Sequence, residues 1–404
     1  MGFTRRRSNA LSTSTQKPAL FLSAEAPYPL HGGGAIRSAS LLHYLARDRE
    51  VDLVVFRQPG DPHPRLALPA GLVRRAAVIE LPATGRGDLM RAFRTASRLA
   101  REIPPLTDRF SGFENEIEQA IGRERYGVAV IEHAWCAPYL DVVKQRCDEA
   151  VLDLHNIESA LHRWCEQTGQ GAAAFAHRTF ADAALRLERE WLPRYARVIT
   201  ASEHDARLAR AIAPQASISV YPNAIPYCPM PPRAEEEVII FTGNMEYHPN
   251  TSAVRFFASE IWPCLKQQWP GLVWRLVGRN PQAVAEFCAE DPRVDLRGPV
   301  PDAIAELSRA KVALVPLLAG SGTRFKLLEA WAAGTPIVST AIGAEGLPVR
   351  HDENVLVSDS PAEFVDAVSR LLACAPLRRR LAEAGRALME REFTWEAAWR
   401  SLNW

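Results

Sequence analysis

Residues 320–329, GSGTRFKLLE, combine the residue types that bind a phosphate. The first three are small and let an anion approach the backbone closely. Arg324 can then grip a phosphate with two parallel hydrogen bonds, and Lys326 adds a compact positive charge. Glu329 lies further along the same segment and can accept hydrogen bonds from a pair of hydroxyls. The pattern predicts a site for a diphosphate that carries a ribose.

The flanking elements place this segment between a strand and a helix. Residues 312–317 form an apolar run that predicts a buried parallel strand, and residues 324–333 predict a helix that ends at Gly334. A glycine-rich turn before a helix presents free backbone N–H groups and the positive end of the helix dipole to an anion. A site without a ligand is the alternative. Glycine-rich turns before helices also occur where they only allow the helix to pack closely, and Arg, Lys and Glu on a first helical turn can form a solvated face.

Length and composition limit the classes of protein. A chain of 404 residues is long for one hydrophobic core, so two domains are expected. Hydrophobic residues make up 47% of the chain and charged residues 24%, as in soluble globular proteins. The formal net charge of +1 gives no reason to expect nucleic acid as a partner.

The seven cysteines are scattered and form no Cys-x-x-Cys pair, which argues against a disulfide framework and against a zinc site. This usage suits a reducing compartment, and we expect a cytoplasmic protein. No apolar run approaches the length of a membrane span. Residues 1–17 contain three successive arginines and then Ser/Thr-rich sequence, and are interpreted as a disordered tail.

Strand-like and helix-like segments alternate along both halves of the chain. Predicted strands lie at residues 19–23, 51–56, 76–81, 127–133, 150–155, 198–202, 238–243, 272–278, 294–297, 312–316 and 337–340, and a predicted helix lies at 35–47. A proline-rich passage separates the two halves and predicts a linker. We therefore expect an α/β protein with a first doubly wound domain at 18–221, a linker at 222–236, a second domain at 237–390 and a terminal helix within 391–404.

The residues also carry a family resemblance. Residues 320–338 resemble the donor-site signature of the retaining glycosyltransferases of family 4. The match extends to residues 241–245, 248–250 and 297–300, and the likeness is less tight in the first half, where residues 27–34, 131–133 and 153–156 fit as well. The resemblance implies the GT-B fold, in which two Rossmann-like domains face each other across a cleft and the terminal helix crosses back to the first domain.

The implied activity is that of a hexosyltransferase. Such an enzyme moves a sugar from a nucleotide diphosphate sugar to a glycan or lipid-linked acceptor, with the anomeric configuration retained. The first domain binds the acceptor and the second binds the donor. The implied setting is bacterial surface polysaccharide or glycolipid biosynthesis.

The resemblance carries over residue by residue. Glu329 matches the glutamate that binds the ribose hydroxyls, whereas Ser321 stands where the family has a glutamate that contacts the donor sugar, so the identity of that sugar is open. Residues 243–250 lack the Arg and Lys that the family commonly has there, and the diphosphate is therefore assigned to Arg324 and Lys326. The remaining implied substrate contacts are Gly33, Gly34, His155, Asn244, Arg297, Val300, Gly322, Thr323 and Leu328.

His133 matches a family histidine near the donor sugar and is assigned a catalytic role. A lone histidine at a strand end is also often a structural residue. His155 and Asn156 likewise end a predicted strand, where they either contact the acceptor or are structural. The resemblance implies that no metal or other cofactor is needed, and no Asp-x-Asp motif follows a predicted strand.

Several alternatives remain open. Gly32, Gly33 and Gly34 do not form a dinucleotide fingerprint, because Arg37 occupies the position of the third glycine. Four arginines on one face of residues 89–103, interleaved with apolar residues, are typical of a solvated helix or of one that lies on an anionic membrane. The alternative functions are a nucleotide-sugar epimerase or a sugar phosphorylase of the same fold, or a sugar-nucleotide-binding protein with weak catalysis, as the serine at position 321 allows.

Overall fold

The computed structural model describes residues 16–83, 87–168, 171–288, 290–319 and 324–404. Apart from Gln16 and Lys17, the predicted tail lies outside the described residues. The chain forms two compact units, Met1–Asp153 with Phe175–Val198, and Leu154–Ala174 with Ile199–Trp404.

A seven-stranded sheet is built from the first half of the chain. Its strands are β1 (Ala19–Ser23), β2 (Val51–Arg57), β3 (Arg75–Glu80), β4 (Tyr126–Glu132), β5 (Cys147–Leu154), β6 (Arg197–Thr200) and β7 (Ile218–Val220). They lie in the order β3-β2-β1-β4-β5-β6-β7, and β1 pairs in parallel with both β2 and β4. All five residues of β1 are buried, as expected for a central strand covered on both faces.

The helices of this half fill the connections between strands. They are α1 (Gly33–Leu45), α2 (Asp88–Arg101), α3 (Pro105–Phe110), α4 (Glu114–Ile121), α5 (Leu140–Val143), α6 (Glu158–Thr168), α7 (Gly171–Trp191) and α8 (Glu203–Ile212). None of the helices in the described part of the chain has both the length and the apolar composition needed to cross a membrane.

A six-stranded sheet is built from the second half. Its strands are β8 (Glu236–Thr242), β9 (Val273–Val277), β10 (Val294–Arg297), β11 (Ala310–Val315), β12 (Ile337–Ser339) and β13 (Leu356–Val357). They lie in the order β10-β9-β8-β11-β12-β13, and each neighbouring pair is parallel. Trp274 and Trp331 are among the largest fully buried side chains and pack in the core of this unit.

In the described part of the second half, eight α-helices accompany the sheet. They are α9 (His248–Phe256), α10 (Trp262–Gln268), α11 (Ala285–Cys288), α12 (Ala303–Arg309), α13 (Phe325–Ala332), α14 (Pro361–Ala373), α15 (Ala375–Glu392) and α16 (Trp395–Trp399). A π-helical turn, Phe257–Ile261, joins α9 to α10. It precedes Pro263, whose missing N–H removes one α-helical hydrogen bond.

The predicted fold class is confirmed, since both halves form Rossmann-like sheets with helical connections. Two short strands, β7 and β13, were not predicted. The terminal helix that is expected within residues 391–404 is short, because α16 spans only Trp395–Trp399. The N–H groups of Ser401 and Leu402 bond to carbonyls three residues back, so the chain tightens into turns instead of continuing as an α-helix.

Candidate functional site

The second sheet has its topological switch point between β8 and β11, where successive connections leave in opposite directions. In doubly wound folds, ligands bind outside the carboxyl ends of the strands at this point. Lys326, on the first turn of α13, extends to the end of the neighbouring strand. Its Nζ donates to the carbonyl oxygen of Thr242 at 2.6 Å and lies 4.9 Å from the centre of the Phe241 ring. The structure thus places the predicted cation at the switch point.

Two glycines make this approach possible. Gly243 follows β8 with a φ of 151°, and Gly278 follows β9 with a φ of 146°. A Cβ on Gly243 would clash with Lys326 Nζ and with Asn250 Nδ2, and a Cβ on Gly278 would clash with the backbone of Gly243. Only glycine leaves room for this packing. The sequence contained this signal, since both glycines are the last residues of predicted strands.

Lys326 and Glu329 form a half-buried pair of ionisable groups on α13. Desolvation lowers the pKa of the Lys326 ammonium from 10.5 to about 8, with Glu329 opposing the shift and Arg324 adding to it. Desolvation also raises the pKa of the Glu329 carboxyl, against the effect of Lys326. The site disfavours both charges while no anion is bound, and an incoming diphosphate would stabilise the protonated lysine.

Arg324 is the N-cap residue of α13 and is 8% exposed. Its guanidinium donates to the carbonyl of Ile342 at 3.3 and 3.4 Å and lies 3.8 Å from the Glu345 carboxylate. Burial lowers its pKa, while the charge of Glu345 opposes that shift. Arg324 is therefore directed towards the turn at Ile342–Ala344, whereas Lys326 is directed towards β8.

The glycine-rich turn lies outside the described residues, and with it the predicted contacts of Ser321, Gly322 and Thr323. Leu328 is fully buried, so its side chain belongs to the core. Any contact of Leu328 with a ligand would therefore involve its backbone.

Three further predicted residues lie at the ends of strands or in the loops that follow them. The Asn244 Oδ1 accepts hydrogen bonds from the Glu246 N–H at 3.3 Å and from Asn280 Nδ2 at 3.1 Å. Arg297 ends β10, and its guanidinium pairs with Asp295 at 2.9 Å and Glu306 at 3.2 Å. Val300 is half-buried in the following loop. The charge of Arg297 is thus balanced within the protein.

The first sheet has its switch point between β1 and β4, and buried polar groups connect the strands there. The hydroxyls of Ser23 and Ser38 donate to the two carboxylate oxygens of Glu132 at 2.5 and 2.6 Å. Arg37, on α1, donates through Nε to both carboxylate oxygens of Asp153 at 2.9 and 3.0 Å, with both side chains almost fully buried. These pairs fix the start of α1 against the ends of β4 and β5.

His133 directly follows β4 and has a φ of 69°, a conformation that residues other than glycine rarely adopt. Its backbone N–H donates to the Asp153 carbonyl at 2.7 Å. Its ring stacks on Trp135, with 4.1 Å between centroids and 12° between planes. The side chain is therefore held in one orientation at the end of the sheet. Neither the role of Trp135 nor the Arg37–Asp153 pair was predicted from the sequence.

The other predicted residues of the first half lie near strand and helix ends. Gly33 and Gly34 form the first turn of α1, whose N-cap, Gly32, has a φ of 120° and no capping side chain. The half-buried His155 follows β5. Ser38 of α1 bonds to Glu132 of β4, so the glycine turn and His133 lie at the same edge of the first sheet.

Sequence comparison links part of the second half of the chain to glycosyltransferases. Residues 236–374 match the family described as Glycosyl transferases group 1. A protein of Bacillus subtilis (strain 168) that is named as a glycosyltransferase, YtcC, is 36% identical over 78 residues. That alignment spans 19% of this chain and 19% of the relative.

Structural comparison covers nearly the whole chain. Sucrose-phosphate synthase (tll1590) from Thermosynechococcus elongatus superposes with a TM-score of 0.69 at 18% identity, covering 95% of this chain and 96% of the other. Anabaena Alr3699/HepE in complex with UDP and glucose superposes with a TM-score of 0.66 at 14% identity, covering 96% and 98%. The fold is GT-B. Each sheet of this GT-B chain thus presents its switch-point residues, Lys326 in the second and His133 in the first.

Proposed function

We propose that this protein is a retaining glycosyltransferase of family 4. It transfers a hexose from a nucleotide diphosphate sugar to a glycan or lipid-linked acceptor, in the assembly of a bacterial surface polysaccharide or glycolipid. The match to the group 1 glycosyl transferases and the fold of HepE, whose structure contains UDP and glucose, support a nucleotide-sugar donor. A UDP-sugar is the first donor to test.

The observation that carries the proposal is the position of Lys326. Its ammonium is anchored at the end of β8 by the Thr242 carbonyl, at the switch point and on the same helix as Glu329. A cation there can bind a diphosphate, while Glu329 accepts hydrogen bonds from the ribose hydroxyls. Burial disfavours both charges, and each charge partly offsets the shift of the other.

The proposed roles of the residues follow from where negative charge develops during sugar transfer. The bond between the anomeric carbon and the β-phosphate oxygen breaks, and negative charge accumulates on that oxygen. A positioned cation stabilises this charge more in the transition state than in the ground state, and the loss of one such group typically reduces turnover by about 10²–10³-fold. We assign this role to Lys326, with Arg324 as the second cation, and place His133 beside the donor sugar.

Nucleotide binding tests the proposal directly. Thermal denaturation of the full-length protein with UDP, GDP and ADP should show stabilisation by at least one of them, by about 2.7 kcal/mol at a hundred times the dissociation constant. Lys326→Met should abolish that stabilisation. Lys311→Met is the matched control, because Lys311 lies on β11 and pairs with Glu237 near the opposite end of the sheet.

Product analysis separates the alternative functions. A glycosylated acceptor supports transfer, an isomerised donor would indicate an epimerase, and a sugar phosphate would indicate a phosphorylase. If no nucleoside diphosphate stabilises the wild-type protein, or if Lys326→Met and Lys311→Met respond alike, the assignment of the donor site is wrong.

A further inference from the structure

Helix α2 turns its apolar side away from the protein. An amphipathic helix of a globular domain normally buries its apolar stripe and leaves its charged side in water. In α2 the half-buried side chains include Thr95, Arg98 and Leu99, which lie on one side at helical spacing. The exposed side is largely apolar, with Phe93 69% and Met90 53% exposed. We refer to it as the α2 surface, formed by Met90, Ala92, Phe93, Ala96, Ala100 and Arg101.

The segment that contains α2 and α3 has an excess of positive charge. Residues 88–110 contain five arginines and three carboxylates, and residues 89–101 contain four arginines and no carboxylate. One of the three carboxylates, Glu102, is paired with Arg186 of α7, which lies outside this segment. Arg94, Arg98 and Arg101 recur at helical spacing along one side of α2. Cations therefore flank the apolar residues of the α2 surface.

The contacts between α2 and α3 show that these cations lie close together. Arg98 and Arg101 donate to the two carboxylate oxygens of Asp108 on α3, at 2.8 and 2.7 Å. Desolvation lowers the pKa of the adjacent Arg109, and the charges of Arg98 and Arg94 lower it further. Two guanidiniums that share one carboxylate retain a net positive charge, so an anionic partner is favoured beside the α2 surface.

An anionic bilayer matches both the apolar and the charged features. Phenylalanine on one side of a helix, with arginines on the other, is typical of helices that lie in the plane of a membrane interface. Arginine can bind a lipid phosphate through two parallel hydrogen bonds while its alkyl stem covers apolar surface. Pairing with the α2 surface of a second copy would instead bring arginines against arginines, which disfavours self-association through this face.

We propose that the α2 surface binds an anionic lipid bilayer, with Phe93 and Met90 inserted at the level of the headgroups and the arginines of α2 at the lipid phosphates. The inference goes beyond the proposed function and does not depend on it, because membrane contact requires no sugar chemistry. Leu106 of α3 lines a cavity that also contains His133, so the pair of helices adjoins the end of the first sheet.

Co-sedimentation of the full-length protein with vesicles tests the proposal. The probes are large unilamellar vesicles of phosphatidylcholine alone, and of phosphatidylcholine with phosphatidylglycerol as the minor, anionic lipid. The protein should bind the anionic vesicles at least about tenfold more tightly than the neutral ones, because each arginine near an anionic surface contributes to binding. Added salt should weaken this binding, since it screens the charges.

Two pairs of variants locate the contact. Phe93→Ala should weaken binding to anionic vesicles by about tenfold through lost apolar contact. Phe175→Ala is the matched control, because Phe175 is a phenylalanine of α7 that is 63% exposed and lies outside the α2 surface. Arg101→Gln should weaken binding by about fivefold, whereas Arg210→Gln, on α8, should leave it unchanged, because Arg210 is similarly exposed but paired with Glu203.

Hydrogen exchange of the wild-type protein needs no variant and therefore decides even if a variant fails to fold. On anionic vesicles the backbone amides of residues 90–101 should exchange more slowly than in solution, while those of α15 should not change. The proposal is overturned if the protein does not bind anionic vesicles, if it binds both kinds of vesicle equally, or if Phe93→Ala and Phe175→Ala bind alike. Unchanged exchange at residues 90–101 in the vesicle-bound protein would also overturn it. A soluble acidic protein that slows this exchange, in the absence of vesicle binding, would identify a different occupant.

The two binding reactions fail separately. Lys326→Met should bind anionic vesicles as the wild type does, and Phe93→Ala should bind nucleoside diphosphates as the wild type does. Vesicle binding that depends on Phe93, in a protein that binds no nucleoside diphosphate, would support the membrane surface and refute the donor site. Normal nucleotide binding without vesicle binding would refute only the membrane surface.

Discussion

The pKa of Lys326 predicts how nucleotide affinity should change with pH. In the unliganded protein this pKa is about 8, lowered chiefly by desolvation. A bound diphosphate favours the ammonium form and raises the pKa, so binding takes up a proton wherever the free lysine is neutral. Nucleotide affinity is therefore highest well below pH 8 and falls as the pH rises through that value. At pH 9 about a tenth of Lys326 is protonated, which corresponds to about tenfold weaker binding than at pH 7.

Isothermal titration of UDP, or of whichever nucleoside diphosphate stabilises the protein, measures this dependence between pH 7 and pH 9. Lys326→Met is the matched variant, because it keeps a similar unbranched stem beside the Phe241 ring and removes the charge. Its affinity should be lower at pH 7 and nearly independent of pH. Titration of the nucleotide itself is common to both proteins and cancels in their ratio.

A control separates lost binding from lost folding. Because the pKa of Lys326 is lower in the folded than in the unfolded protein, this group destabilises the folded state below about pH 8, and that effect diminishes as the pH rises towards 10.5. Lys326→Met should therefore melt no lower than the wild type at pH 7. A pH dependence that is identical in the two proteins would refute the assignment of the diphosphate to Lys326.

The remaining predictions concern the same site. Arg324→Ala should reduce turnover by about two to three decades if Arg324 contacts the diphosphate; turnover near that of the wild type in a steady-state assay would make Arg324 a structural residue. Glu329→Gln should weaken nucleotide binding measured by calorimetry, since an amide accepts less strongly than a carboxylate, and unchanged affinity would make Glu329 a structural residue. Gly243→Ala should weaken nucleotide binding as Lys326→Met does, because a Cβ there clashes with Lys326 Nζ at a φ of 151°, and normal affinity would show that the loop can rearrange. Turnover should persist in EDTA, since protein cations meet the charge of the leaving group, and activity that is lost and then restored by a divalent ion would contradict this.

The sequence predicts the fold well because its signals are local. Buried parallel strands are apolar runs, and eleven such runs lie within the observed sheets apart from their ends. β7 and β13 escaped detection because they have only three and two residues, too few for periodicity to show. The length of α16 depended on hydrogen bonds beyond Trp399, which residue types do not determine.

The site was only partly predictable, for a physical reason. Residue types identified Lys326 and Glu329, but the partner of Lys326 is the backbone carbonyl of Thr242, and a carbonyl has no signature in a sequence. Likewise, Arg37 and Asp153 are 116 positions apart and meet only because β1, β4 and β5 are neighbours in the sheet. Long-range pairs of this kind follow from strand order, which alternating segments alone do not specify.

The two switch points differ in what positions their residues: a buried polar network at the first, and two glycines at the second. At the first, the Ser23–Glu132 hydrogen bond and the Arg37–Asp153 ion pair are buried and mutually satisfied, and the backbone N–H of His133 is bound to the Asp153 carbonyl. A satisfied buried network is rigid, because breaking either partner leaves an uncompensated polar group. At the second, the glycines at 243 and 278 bring Lys326 to the end of β8, where its ammonium donates to the Thr242 carbonyl. The first arrangement holds an orientation and the second holds a cation at the end of a strand, and the proposed transfer from a diphosphate donor would use both.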